Sequence, residues 1–101
     1  MAGVTNEDVV LQFYETEQGH TQNLRSYGDK LMSYNTCIAQ HFGLNGILIN
    51  ISNYDDNAIK NHLALVRKHI GKGHKKIVIH MSDVPIDCNN LRTYFAMNIK
   101  L

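Results

Sequence analysis

The chain has 101 residues, of which 44% are apolar, 19% charged and 8% aromatic, and its formal net charge is +1. That apolar share, with a single Pro, excludes a disordered or low-complexity protein, and the length suits one domain, residues 1–101, around one modest core. The longest apolar runs, residues 46–49 and 77–79, are strand-sized and far short of the ~18 residues of a membrane-spanning helix. The first eight residues lack the basic and apolar regions of a signal peptide, so the expected location is the cytoplasm.

In chain order, Thr5-Asn6-Glu7-Asp8 reads as a helix cap with an acid at the third helical position. Val9, Val10, Phe13 and Tyr14 follow at helical spacing, which predicts a helix over residues 6–17 with Gly19 as its stop. Gly28-Asp29 lies between two β-prone runs, residues 23–27 and 30–42, and marks a two-residue hairpin. Within the second run, Met32, Tyr34, Thr36, Ile38 and Phe42 share one face at period two, and they form the expected core side. Ser33, Asn35, Cys37, Ala39 and His41 fall on the other. After a turn at residues 43–46, Ile47, Ile49 and Ile51 alternate with polar neighbours or Leu48, as a half-buried strand does.

Asp55 or Asp56 caps a second helix carrying Ile59, Leu63, Val66 and Ile70 on one stripe, with Gly71 at its end. A loop at residues 71–74 leads into a strand over residues 75–81. From Leu91 to Leu101 every odd position is Leu, Thr, Phe, Met or Ile, and this alternation predicts a closing strand. The expected fold is α+β, in the order α-β-β-β-α-β-β: a mostly antiparallel sheet of five strands with two helices on one face.

Residues 23–62 carry a string of motifs. Asn23-Leu24 precedes the Gly28-Asp29 turn, then come Leu31-x-Ser33-Tyr34-Asn35-Thr36-x-Ile38-Ala39, the strand 47–51, Tyr54 at a helix start, and His62. In this the chain resembles a family of small domains of unknown function, met mostly in proteins of phages and other mobile elements. In that family the strand reads Ser-Tyr-Asn/Gly-Thr-x-Ile/Val-Ala, and the helix start reads Tyr-Ser-x-Thr-Thr with a His soon after. This chain departs at the helix start, where Asp55-Asp56-Asn57-Ala58 follow Tyr54 and His62 comes one place late. Any role of the family's threonines therefore does not carry over. The resemblance implies a viral or mobile-element origin and no particular activity.

The small net charge hides a strong asymmetry. Residues 1–56 balance to −5 and residues 57–101 to +6, and no acid lies between Asn57 and Ser82. Lys60, Arg67, Lys68, Lys72, His74, Lys75 and Lys76 fall in that acid-free stretch and form the expected binding patch. Catalytic machinery is not expected. His62 and His69 stand about 10 Å apart along a helix, too far to share an ion directly. Cys37 with His41 or His80 would put a nucleophile in mid-strand, a poor place for one. With two isolated cysteines and no C-x-x-C pair, neither a disulfide, a metal nor a cofactor is expected. Gly71-Lys72-Gly73 follows a helix, the reverse of a P-loop's order. The tyrosines at 27, 34, 54 and 94 are expected to pack, or to stack bases where they stand exposed beside the lysines. The implied function is a small non-catalytic phage accessory protein in the host cytoplasm. It would bind and inhibit or redirect a host protein, such as a nucleic-acid-binding defence nuclease, in the manner of an anti-CRISPR protein. The alternative is a nucleic-acid-binding module using the same patch. Self-association is a further expectation, because the acidic half of one copy complements the basic half of another; a membrane partner is not expected.

Overall fold

The computed structural model describes residues 4–71 and 77–98. Helix α1, Asn6–Tyr14, starts as its sequence requires: the Thr5 side chain accepts from the Asp8 backbone while the Asp8 carboxylate accepts from the Thr5 backbone. It stops well before Gly19. Glu17 N donates to Gln12 O and Thr16 N to Phe13 O, a Schellman closure with Thr16 at φ +59 in the position glycine usually fills. Gly19 serves another purpose. It lies in a two-residue strand, β1 (Gly19–His20), under Gln12, and a Cβ there would stand 1.7 Å from Gln12 Oε1.

Strands β2 (Leu24–Tyr27), β3 (Lys30–Ser33), β4 (Thr36–Phe42) and β5 (Gly46–Asn50) continue an antiparallel meander. Gly28, at φ +58, makes the expected β2–β3 hairpin. The run 30–42, expected as one strand, is two, because the chain turns back at Tyr34-Asn35 with Tyr34 at φ +53. Two-residue hairpin loops usually put Gly or Asn at such a position, so a Tyr there carries no sequence signal. A register shift beside Met32 also breaks the period, leaving Cys37 and Ala39 on opposite faces of the sheet.

Helix α2, Asn57–Lys68, is capped by the Asp56 side chain on Ile59 N and ends before Gly71. It carries the chain across the sheet to β6 (Ile77–Met81), which pairs parallel to β5 and completes a six-stranded sheet in sequence order. The expected beginning of this strand at residues 75–76 lies outside the described residues. The closing segment is helix α3, Leu91–Asn98, and not a strand. Asn90 Oδ1 accepts from Thr93 N at the helix start. Leu91, Tyr94 and Phe95 then face the sheet at spacings of three and four, while Met97, on the same alternation as Leu91, is 79% exposed.

Layering follows from these elements. Val9, Val10, Phe13 and Tyr14 of α1 and Ile59, Leu63 and Val66 of α2 pack on Leu24, Leu31, Ile38, Ala39, Ile47 and Ile49 of the sheet. The opposite face holds a second core, where Leu91 and Val84 cover Met32, Cys37, Leu48 and Met81. Among the described residues the fold is α+β with a mixed six-stranded sheet and three helices, two on one face and the third on the other. Strands β4 and β5 lie between two apolar layers and are buried on both sides, as strands so enclosed must be. That corrects the division of residues 32–42 into one core face and one polar face.

Polar groups pin the loop between β6 and α3. Asn50 Nδ2 donates to Cys37 O at 3.2 Å and to Tyr54 Oη at 2.9 Å, and Tyr54 Oη donates to Val84 O at 2.6 Å. Ser52 Oγ accepts from Val84 N, and Thr36 Oγ1 donates to Ile86 O. No helix among the described residues is long and apolar enough to cross a membrane.

Candidate binding surfaces

The outer face of α2 exposes Lys60, Arg67 and Lys68. Lys68 Nζ is engaged by Glu7 Oε2 at 3.0 Å, and His69 Nε2 donates to the same oxygen at 2.7 Å. These two hydrogen bonds, His69's the larger, hold the Glu7 carboxyl below its ordinary range. Lys60 and Arg67 have no ion pair among the described residues. Seven residues apart, about two helical turns, they share one face and stand about 10 Å from each other along the axis. They flank a depression of about 200 Å³ whose other lining residues include Ser52, Asn53 and Ala64. Of the expected patch, these three side chains share α2. Lys72, His74, Lys75 and Lys76 lie outside the described residues.

A second constellation went unread in the sequence. The hairpin at Tyr34 puts Ser33 beneath α2, where its Oγ lies 2.6 Å from His62 Nδ1, and both residues are buried. Asn6 Nδ2 is 3.3 Å from His62 Nε2, and Asn6 Oδ1 accepts from Thr21 Oγ1 at 2.5 Å. The direction of this chain can be derived. Thr21 Oγ1 already accepts from Asn23 N and Leu24 N, so its own proton goes to Asn6 Oδ1. That turns the Asn6 amide nitrogen toward His62, making Nε2 the acceptor and leaving the imidazole proton on Nδ1. Nδ1–H therefore donates to Ser33 Oγ. The imidazole does not act as a base toward that hydroxyl, which is the opposite of what an activated serine needs. Burial lowers the His62 pKa, with Asp56 opposing the shift. Ser33, Tyr34, Asn35 and Thr36, adjacent in the motif, thus form a hairpin end resting on His62, and the Tyr34 and His62 rings lie 6.4 Å apart.

The cysteines are free. Cys37 is fully buried, and desolvation pushes its thiol up to about 12, so it is unreactive near neutral pH. It faces the second core, whereas His41 stacks on Phe13 in the first at 4.4 Å and contacts Phe13 O at 2.8 Å. The two cannot act together. Among the described residues no group of three His, Cys, Asp or Glu could hold a metal ion.

Of the tyrosines, Tyr54 and Tyr94 are tied by their hydroxyls to carbonyls of residues 83–85. Tyr27 and Tyr34 are 41% and 48% exposed. The Arg25 guanidinium sits over the Tyr27 ring, 5.4 Å from its centroid. Gln22, Asn23, Arg25, Tyr34 and Asn35 line a depression of about 270 Å³. No family model matches the chain, and neither a curated protein nor a solved structure matches it.

Proposed function

We propose that the chain is a small non-catalytic accessory protein of viral type that occupies an acidic surface of a host protein through the outer face of α2. The observation that carries this reading is the pair Lys60 and Arg67, exposed, free of ion pairs among the described residues, and set on either side of a polar depression. Cations presented this way steer an acidic partner and fix its register. The placement of the chemically versatile side chains also favours binding over catalysis. Ser33 Oγ accepts a hydrogen bond from His62 Nδ1–H instead of donating its own proton to the ring, and Cys37 is sealed in a core. The resemblance of residues 23–62 to phage and mobile-element domains supports the viral setting, with a host defence nuclease as one partner that suits an inhibitor of this size.

The test is a tagged pull-down from bacterial lysate, with and without nuclease, using the wild-type chain and a Lys60→Glu/Arg67→Glu variant. A stoichiometric protein that survives nuclease and is lost with the charge-reversed variant is the expected result. Equal recovery by the variant, or recovery of nucleic acid alone, would overturn it.

A further inference from the structure

The second face of the sheet is only half covered. Helix α3 packs over β4 and β5, and Met32 of β3 marks the limit of the core beneath it. Beyond that limit the face belongs to β1, β2 and the start of β3. Arg25 is directly opposite Met32 across the β2–β3 pair, Tyr27 is opposite Lys30, and His20 is opposite Arg25. Directly paired residues project from the same side of an antiparallel sheet, so His20, Arg25, Tyr27 and Lys30 share this uncovered side. The alternate residues of β2, Leu24 and Ser26, are buried on the α1 side.

We propose that this half-face binds single-stranded nucleic acid, independently of the α2 surface and on a different part of the molecule. Two exposed aromatic rings stand at opposite ends of β2, Tyr27 on the open face and Tyr34 at the end of the sheet, where it lines one depression with Arg25 and its ring also lies 6.4 Å from His62. Tyr27 is at the Gly28 turn, and Tyr34 is beside Asn23, whose carbonyl accepts from Tyr34 N at 3.0 Å. Residues 23 and 27 are about 14 Å apart along a strand, room for the two or three bases that an aromatic sheet face stacks. Arg25 lies between the rings, planar and already laid over Tyr27, where it can stack on a base or meet a phosphate. Lys30 and His20 flank the row. The depression under Tyr34 is walled by the amides of Gln22, Asn23 and Asn35, which carry the paired donors and acceptors that match exposed base edges.

The charge and rigidity of the surroundings agree with this ligand. Asp29, the acid beside Lys30, is drawn away by Gln40 Nε2 at 3.0 Å and Arg92 at 3.5 Å. Tyr34 is kept at its positive φ by the hydrogen bond to Asn23 and by the hydrogen-bonded chain from Thr21 to Ser33 beside it. A fixed ring loses little freedom when a base stacks on it. Duplex nucleic acid, whose bases are already stacked on one another, is not a match.

The test uses the full chain and a fluorescently labelled 12-nucleotide oligomer of mixed sequence, as single strand and as duplex, read by anisotropy at low salt and at 0.15 M salt. Binding of the single strand is expected, and each of Tyr27→Ala, Tyr34→Ala and Arg25→Ala should weaken it about tenfold, as loss of one stacking contact does. Tyr34→Phe should bind within about twofold of wild type, because the ring is retained. Where an alanine variant fails to fold, the wild type still decides. The chain has 5 Tyr and no Trp, so quenching of tyrosine emission on titration with unlabelled strand reports the stacking. Absence of single-strand binding, equal binding of duplex, or binding unchanged in all three alanine variants would overturn the proposal. Loss of binding only in Lys60→Glu/Arg67→Glu would overturn it too, and would place the nucleic acid on α2.

Discussion

Protonating His62 would set an Nε2–H against the Nδ2 hydrogens of Asn6, so the hydrogen-bonded chain from Thr21 to Ser33 favours the neutral ring. In the unfolded chain the imidazole takes its proton near pH 6.5, and burial lowers that value in the fold. The unfolded state therefore binds more protons as pH falls through 6.5. The stability contributed by neutral His62 is full above that pH and is lost progressively below it. The depressed Glu7 carboxyl acts with the same sign at lower pH, its contribution being lost as pH falls below about 4.5. The urea midpoint should decline from pH 7 to pH 5, and His62→Gln should flatten that decline; a wild-type midpoint constant over the interval would contradict the assignment. In the sequence, His62 appears as the histidine that closes the motif string and as a helical neighbour of His69, with no sign of its partner. Its partner Ser33 is 29 residues away, and nothing local announces that a Tyr will take the turn that brings them together.

At the scale of elements, caps were the most legible feature and lateral packing the least. Thr5 with Asp8, and Asp56, act on backbone groups within three residues, so their chemistry is complete in the local sequence. The segment Leu91–Asn98 is the instructive failure. Strict alternation is compatible with a strand, but the same residues also place Leu91, Tyr94 and Phe95 on one helical face. The second core decides between them: it takes Leu91, with Tyr94 and Phe95 packed against it, and leaves Met97 in solvent. Leu91→Ala should cost about 2–5 kcal/mol, as removal of a fully buried Leu does. Met97→Ala should change stability by no more than about 0.5 kcal/mol. Urea denaturation of the two variants separates helix from strand, since a strand would put both residues on one face and make both substitutions costly.

Across the whole molecule the sheet has a protected middle and two unequal edges. β4 and β5 are covered on both faces, β1 is two residues long, and β6 ends the sheet. Along β6 the backbone groups alternate. Ile77 N donates to Asn45 O and Met81 O accepts from Ile51 N, so residues 77, 79 and 81 turn toward β5 while Val78 and His80 turn outward. Native-state hydrogen exchange should show slow amides through residues 47–49. Along β6 the amides of Ile79 and Met81 should exchange slowly and those of Val78 and His80 fast. Uniform protection along β6 would mean that a further strand covers this edge, which is how a second copy would announce itself.

What the sequence by itself determined is what short-range physics governs: the α+β class, the caps of α1 and α2, the Gly28 hairpin, the apolar stripe of α2, and the charge asymmetry that marks Lys60, Arg67 and Lys68. Tertiary structure decided the rest. The second layer at α3, the turn at Tyr34, the burial of His62 with Ser33, and the open half-face bearing Arg25 and Tyr27 all depend on which surfaces meet. A period in sequence specifies which side chains share a face. It does not specify what lies against that face, and here one face of the sheet carries α1 and α2 while the other carries only α3. The uncovered part is where Arg25 and Tyr27 reach solvent.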